Sequence, residues 1–174
     1  MFFSWLHRRL HHSSTARPEA LTASGSYDAE AQFLRGMEFE NGEGVDQDYT
    51  QAAEWYARAA EQNHSLAQYS LANLYVRGLG IKRDEAKASA WLSRAAKLGN
   101  AAAQYKLGVQ QHVACRAGRI NGTPERRIEA FKWVRLAAAQ GYRDAQGACE
   151  FVALGMSQEE VAEGERRASD FVAQ

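Results

Sequence analysis

The sequence predicts an all-helical protein built from stacked helical hairpins, and three observations carry that prediction. The dipeptide Ala-Gln recurs at Ala31-Gln32, Ala67-Gln68, Ala103-Gln104 and Ala145-Gln146, with spacings of 36, 36 and 42 residues. Trp55, Trp91 and Trp133 repeat the 36 and 42 spacings, as do the pairs Ala59-Ala60, Ala95-Ala96 and Ala137-Ala138. Self-similarity at such a period marks stacked units, none of which can bury its apolar face alone. Composition agrees: Ala is abundant and only two prolines interrupt 174 residues, which favours helix over strand.

Residues 1–25 read differently from the rest. Phe2, Phe3, Trp5 and Leu6 form a short apolar run, followed by His7, Arg8, Arg9, Leu10, His11 and His12. A secretory signal places its positive charge before a longer apolar run, so this order predicts no export signal and a cytoplasmic chain. As a helix, residues 2–12 would present a basic amphipathic face to an anionic membrane surface. The arginines and serines also resemble a mitochondrial presequence. Docking on the domain as an end cap and simple fraying are the remaining readings.

Residues 26–174 are predicted to form the solenoid, in units of about 29–64, 65–100, 101–142 and 143–174. In the second unit, helix A is expected near Leu66 to Arg77 and helix B near Asp84 to Leu98. Ala67, Leu71, Leu74 and Tyr75 share one face of the former, and Ala88, Trp91, Leu92 and Ala95 one face of the latter. Capping boxes are read at Asp48 with Gln51, Ser65 with Gln68 and Ser157 with Glu160. Asp84 is a further cap, and Thr123 before Pro124 suits an N-cap and first helical position. Gly42, Gly44, Gly78 and Gly80 fill the A-to-B turns. Gly36, Ala72 and Gly108 recur where two helices must approach closely, and the tryptophans are expected to fill the wider space between hairpins. On that reading Trp91→Ala costs about 3–5 kcal/mol. The six extra residues of the third unit are expected to lengthen its turn, Cys115–Pro124. The last helix, Ser157–Val172, lacks the tryptophan, is rich in charge and suits a terminal cap.

The residues Ala67-Gln68-Tyr69, Leu71-Ala72, Tyr75, Gly78-Leu79-Gly80-Ile81, Asp84, Ala88, Trp91 and Ala95-Ala96 resemble Sel1-like repeats, relatives of the tetratricopeptide repeat. Gly42-Glu43-Gly44-Val45-Asp46 and Trp55-Tyr56 extend the likeness to the first unit. The resemblance implies a right-handed α-solenoid with roles in complex assembly or signalling, and it supplies no reaction. It also implies that helix A lines the concave face. The candidate groove residues are then Phe33 and Met37, Tyr69, Asn73 and Arg77, and Tyr105, Val109 and His112. An aromatic ladder with polar neighbours suits a peptide-binding surface, and packing between repeats explains Phe33, Tyr69 and Tyr105 equally well. The departures are Arg35 in place of Leu71 and Leu107, and Gln111 in place of Tyr75.

Charge is segregated behind a net charge of zero. The first unit carries −6 and the last −4, while the second carries +4 and the third +5. Solvated helix faces account for this. So does an acidic partner segment held by Arg77 and a basic patch of Lys82, Arg83, Arg116 and Arg119, or head-to-tail self-association. Bulk neutrality disfavours a nucleic-acid partner. The Gly-x-Gly pairs follow helices and recur at the repeat period, so they are turn glycines and no nucleotide site. His64 and His112 have no repeat-equivalent Cys or His and are read as surface or groove histidines. Cys115 and Cys149 read as free thiols, with a pairing across adjacent helices left open. No metal or cofactor motif is present. The expected function is therefore a non-enzymatic adaptor binding a protein or peptide. The alternative is a membrane-peripheral assembly factor targeted by residues 2–12. A hydrolase with an unrecognised site is weaker, because relatives linked to β-lactam binding pair cysteines within each repeat and this chain does not.

Overall fold

The computed structural model describes residues 28–118 and 122–172. They form eight helices: α1 (Ala29–Asn41), α2 (Tyr49–Glu61), α3 (Ser65–Arg77), α4 (Glu85–Lys97), α5 (Ala101–Arg116), α6 (Pro124–Ala139), α7 (Ala145–Ala153) and α8 (Gln158–Val172). No strand occurs among the described residues. Consecutive helices pack as antiparallel neighbours from α1 through α7, so each hairpin leans on the next. The 1–25 extension lies outside the described residues.

Small residues set the helix spacing as the sequence suggests. A methyl group on Gly36 would lie 2.6 Å from the Tyr56 ring, and one on Gly108 would lie 2.7 Å from both the Ala130 carbonyl oxygen and Val134. The paired alanines Ala59-Ala60 and Ala95-Ala96 are fully buried. Gly80 shows why the turn needs glycine: its φ is +67°, and a Cβ there would meet the Tyr49 carbonyl at about 2 Å. The second A-to-B turn therefore rests on the first turn of α2.

The caps of the A helices differ from expectation. Ser65 is not the cap of α3. His64 is, and its Nδ1 accepts from the Ala67 amide at 3.2 Å. It is one member of a repeated set, since Asp28 caps α1 and Asn100 caps α5 through the equivalent bonds of 2.6 and 2.9 Å. Any side chain with an acceptor two bonds from Cβ can fill this place, which is why a histidine fits. Gln68 is not part of a box either. It is buried, and its amide donates to the Ala60 carbonyl at 3.0 Å, as Gln104 donates to Ala96 at 3.1 Å. These bonds tie each A helix to the preceding B helix. A reciprocal box does form at Ser157 and Glu160, with bonds of 2.9 and 3.2 Å.

The six-residue insertion is also relocated. The helices α1 to α4 have 13 residues each, and α5 and α6 have 16 each. Seven residues separate α3 from α4 and seven separate α5 from α6, so the extra residues prolong both helices and add nothing to the length of the connection. Helix elongation adds one backbone hydrogen bond per residue, whereas a longer loop adds none.

The tryptophans divide. Trp133 is buried, while Trp55 and Trp91 are half-buried under the guanidinium groups of Arg58 and Arg94 at 4.6 and 4.7 Å. The 3–5 kcal/mol range thus belongs to Trp133, with Trp91→Ala below it. Trp133 owes its burial to α8. That helix packs on α6 rather than pairing closely with α7, and sets Phe171 edge-on to Trp133 at 5.5 Å. Gly164 lies against Phe131. Ion pairs flank this seam: Arg127 with Glu160, Arg167 with Glu125, and Arg135 with Glu165 at 2.8 Å. Hydrogen bonds from Arg166 and Arg167 hold the Glu163 carboxyl down at about 2.

Candidate functional site

A groove of about 410 Å³ opens where α3, α4 and α5 meet. Its floor is apolar: Ala72 from α3, Ala88 and Leu92 from α4, and Val109 from α5. Val76, half exposed, forms one lip. Tyr105, Asn73 and Ser89 supply hydroxyl and amide groups, while Glu85 and Lys106 stand at the mouth. The size lies within the range of ligand-holding clefts, roughly 300–1,000 Å³.

The Lys106 ammonium is positioned rather than loose. It donates to Asn73 Oδ1 at 2.6 Å and lies 5.0 Å from the Tyr69 ring centroid. No carboxylate among the described residues forms an ion pair with it. Glu85, across the mouth, is taken up by Arg83. Beside this cluster the Tyr105 and Tyr142 rings pack with centroids 5.3 Å apart. Burial, and then the nearby Tyr69 and Tyr105 phenols, push the Tyr142 hydroxyl above its ordinary range.

The predicted groove residues separate into three groups. Asn73, Tyr105 and Val109 line the groove, with Tyr69 held beside it by Lys106. Arg77 is exposed, and Met37 is half-buried against the core of the first hairpin. Phe33 and His112 are corrections. Phe33 is buried, stacked on His64 at 4.7 Å and packed against Tyr56 at 5.7 Å, so it holds two repeats together and faces no open groove. His112 is 6% exposed and its Nε2 has no hydrogen-bond partner. It lies edge-on to Phe151 of α7 at 5.1 Å. Burial, and then the Arg116 charge, lower its pKa below the ordinary value.

In the basic patch, Lys82, Arg83 and Arg116 are exposed, with Arg83 paired to Glu85 and Arg116 over the Phe151 ring at 5.5 Å. Arg119 and residues 2–12 lie outside the described residues. Cys115 and Cys149 are both free thiols. Sequence reasoning missed Lys106, Glu85, Ser89 and Val76. A signal was available for Ser89, since Ala53 and Phe131 occupy the same place in the other B helices.

The stacked hairpins define a helical-repeat protein. The Sel1 repeat model matches residues 29–64, 65–100 and 101–142, and the chain belongs to the Sel1 repeat family. Sel1 repeats generally mediate protein–protein interactions, and their fold is typically a non-catalytic scaffold. The crystal structure of a Sel1 repeat protein from Oxalobacter formigenes is similar at 30% identity and a TM-score of 0.65, covering 81% of this chain and 54% of that one. The chain thus spans about half the length of that relative. A protective antigen of uropathogenic Escherichia coli displaying an SLR fold, c5321, is 23% identical with a TM-score of 0.44, covering 82% of this chain and 38% of that one. No curated protein matches the chain. Among the described residues no helix is long and apolar enough to cross a membrane.

Proposed function

We propose that this chain is a non-enzymatic adaptor that holds a segment of a partner protein in the α3–α4–α5 groove. The observation that carries this reading is the groove itself: an apolar floor, a few convergent polar groups and a positioned ammonium at the mouth, all on rigid helices. Such a surface binds by burying an anchor and orients it with polar contacts. The basic charge of the second and third units favours an acidic segment, because complementary potentials steer encounter and fix orientation. The two free thiols suit a reducing, cytoplasmic compartment.

The test places a photo-crosslinking amino acid at Val109, inside the groove, or at Leu154, which is 86% exposed at the C-cap of α7. Crosslinking in cells of the source organism should join a specific partner peptide to position 109 and not to position 154. Equal capture at both positions, or none at 109, overturns the assignment of the groove.

A further inference from the structure

The groove has two counterparts in the same molecule, and both are filled. The 36- and 42-residue spacings map its lining onto the junction of α1, α2 and α3. There Tyr56 stands where Leu92 stands in the groove, and its ring fills the space. It packs on Gly36, donates from its hydroxyl to Glu40 at 2.5 Å and meets Ser70, the counterparts of Ala72, Val76 and Lys106. Tyr56 is wholly buried there. At the junction of α5, α6 and α7, Phe131 stands where Ser89 stands; it shares a buried cluster with Val134, Val152 and Val109, and its ring also meets Gly164 of α8. His112 and Phe151 close that junction edge to face. Of these three junctions the middle one has no ring from its B helix, because Leu92 and Ser89 replace Tyr56 and Phe131; Tyr105 of α5 stands at its wall and leaves the space open.

We infer that the middle junction takes an aromatic side chain from the partner, delivered on a segment with aspartate or glutamate beside the ring. The aromatic ring is the group that this junction geometry accepts twice elsewhere in the chain. The acid follows from Lys106, whose ammonium faces the mouth with no carboxylate paired to it, within two units of net charge +4 and +5. The same charge disfavours the basic apolar residues 2–12 of this chain as the occupant. This inference rests on the proposed role of the groove and adds what the groove selects.

The test uses the full chain and three labelled twelve-residue peptides, read by fluorescence anisotropy. One has a central phenylalanine flanked by aspartates, one replaces phenylalanine with alanine, and one replaces the aspartates with lysines. The first should bind roughly tenfold or more tightly than either of the others, the expectation for one buried ring and one charge pair. Ser89→Phe should abolish this binding while the melting temperature holds or rises, because it places in the groove the ring that Phe131 places in the next junction. Lys106→Glu should reverse the preference between aspartate and lysine peptides. Binding that survives Ser89→Phe, or that ignores the central ring, overturns the inference. Tight binding of the alanine or lysine peptide to the same groove overturns it while leaving the adaptor reading intact. Absence of binding by all three, together with no crosslink at position 109, overturns both.

Discussion

Replacing Leu98 with glutamine should stabilise the fold, and the reason lies in a broken row of amides. Gln62 donates to Gln32 Oε1 at 2.8 Å, and Gln140 donates to Gln104 Oε1 at the same distance. Between them, Gln68 is 1% exposed and its Oε1 has no partner. The donor is missing because Leu98 occupies the place of Gln62 and Gln140. The backbone is ready for it: Gln62, Leu98 and Gln140 all end their helices with φ near −85° and ψ between 4° and 17°. A buried unpaired polar atom costs about 1–3 kcal/mol, and ordering a glutamine in place of a leucine costs about 1 kcal/mol more side-chain entropy. Leu98 is 47% exposed, so its loss subtracts little. The net gain is about 1 kcal/mol, or about 2–4 °C in melting temperature for a chain of this size. Urea denaturation followed by circular dichroism measures it. The reverse change, Gln140→Leu, should lose about the same amount by orphaning Gln104. A Leu98→Gln protein no more stable than wild type, beside a Gln140→Leu protein that is unharmed, would refute the amide row as a source of stability.

Two further outcomes follow from the packing. Because burial lowers the His112 pKa in the folded chain, the unfolded chain takes up the proton first, so stability falls as pH drops through about 6.5 and levels below the folded pKa. His112→Val, which installs the residue found at position 76, should flatten the change in urea midpoint between about pH 7.5 and about pH 5; an unchanged slope would show that His112 stays accessible to protons without cost. Gly108→Ala should destabilise by about 1–3 kcal/mol through collision with Ala130 and Val134. Gly147→Ala, which meets open space, should instead gain about 0.5–1 kcal/mol, and thermal melts of the pair distinguish the two.

The repeat boundaries were legible because alanine, glycine and tryptophan recur at fixed intervals, and those residues report helix spacing directly. Helix A of the second unit was read to within a residue of Ser65–Arg77, and helix B to within a residue of Glu85–Lys97. The insertion was misplaced because spacing between markers cannot tell whether extra residues extend a helix or a loop. His64 was overlooked as a cap because Ser65 carries the stronger side-chain preference, while the choice was made by phase along the helix. Asn73, Tyr105 and Val109, which line the groove, were named by joining helical spacing to the family resemblance, which puts helix A on the concave face. Phe33 and His112 were misjudged since exposure depends on the neighbouring unit, His64 in one case and Phe151 in the other. Ser89 was missed because an empty space is recorded only by comparing copies, as the small residue itself looks unremarkable.

The even division of the third unit's additional residues, three to each helix, has a consequence for the outline of the stack. Three residues rise about 4.5 Å and come close to one full turn, so both helices keep their inward faces in phase while growing taller together. The third hairpin therefore stands proud of its neighbours like a raised step along the row of loops. A six-residue block of this kind is a transplantable spacer: inserted symmetrically into another hairpin, it would alter the skyline that a passing chain encounters without disturbing the wall beneath.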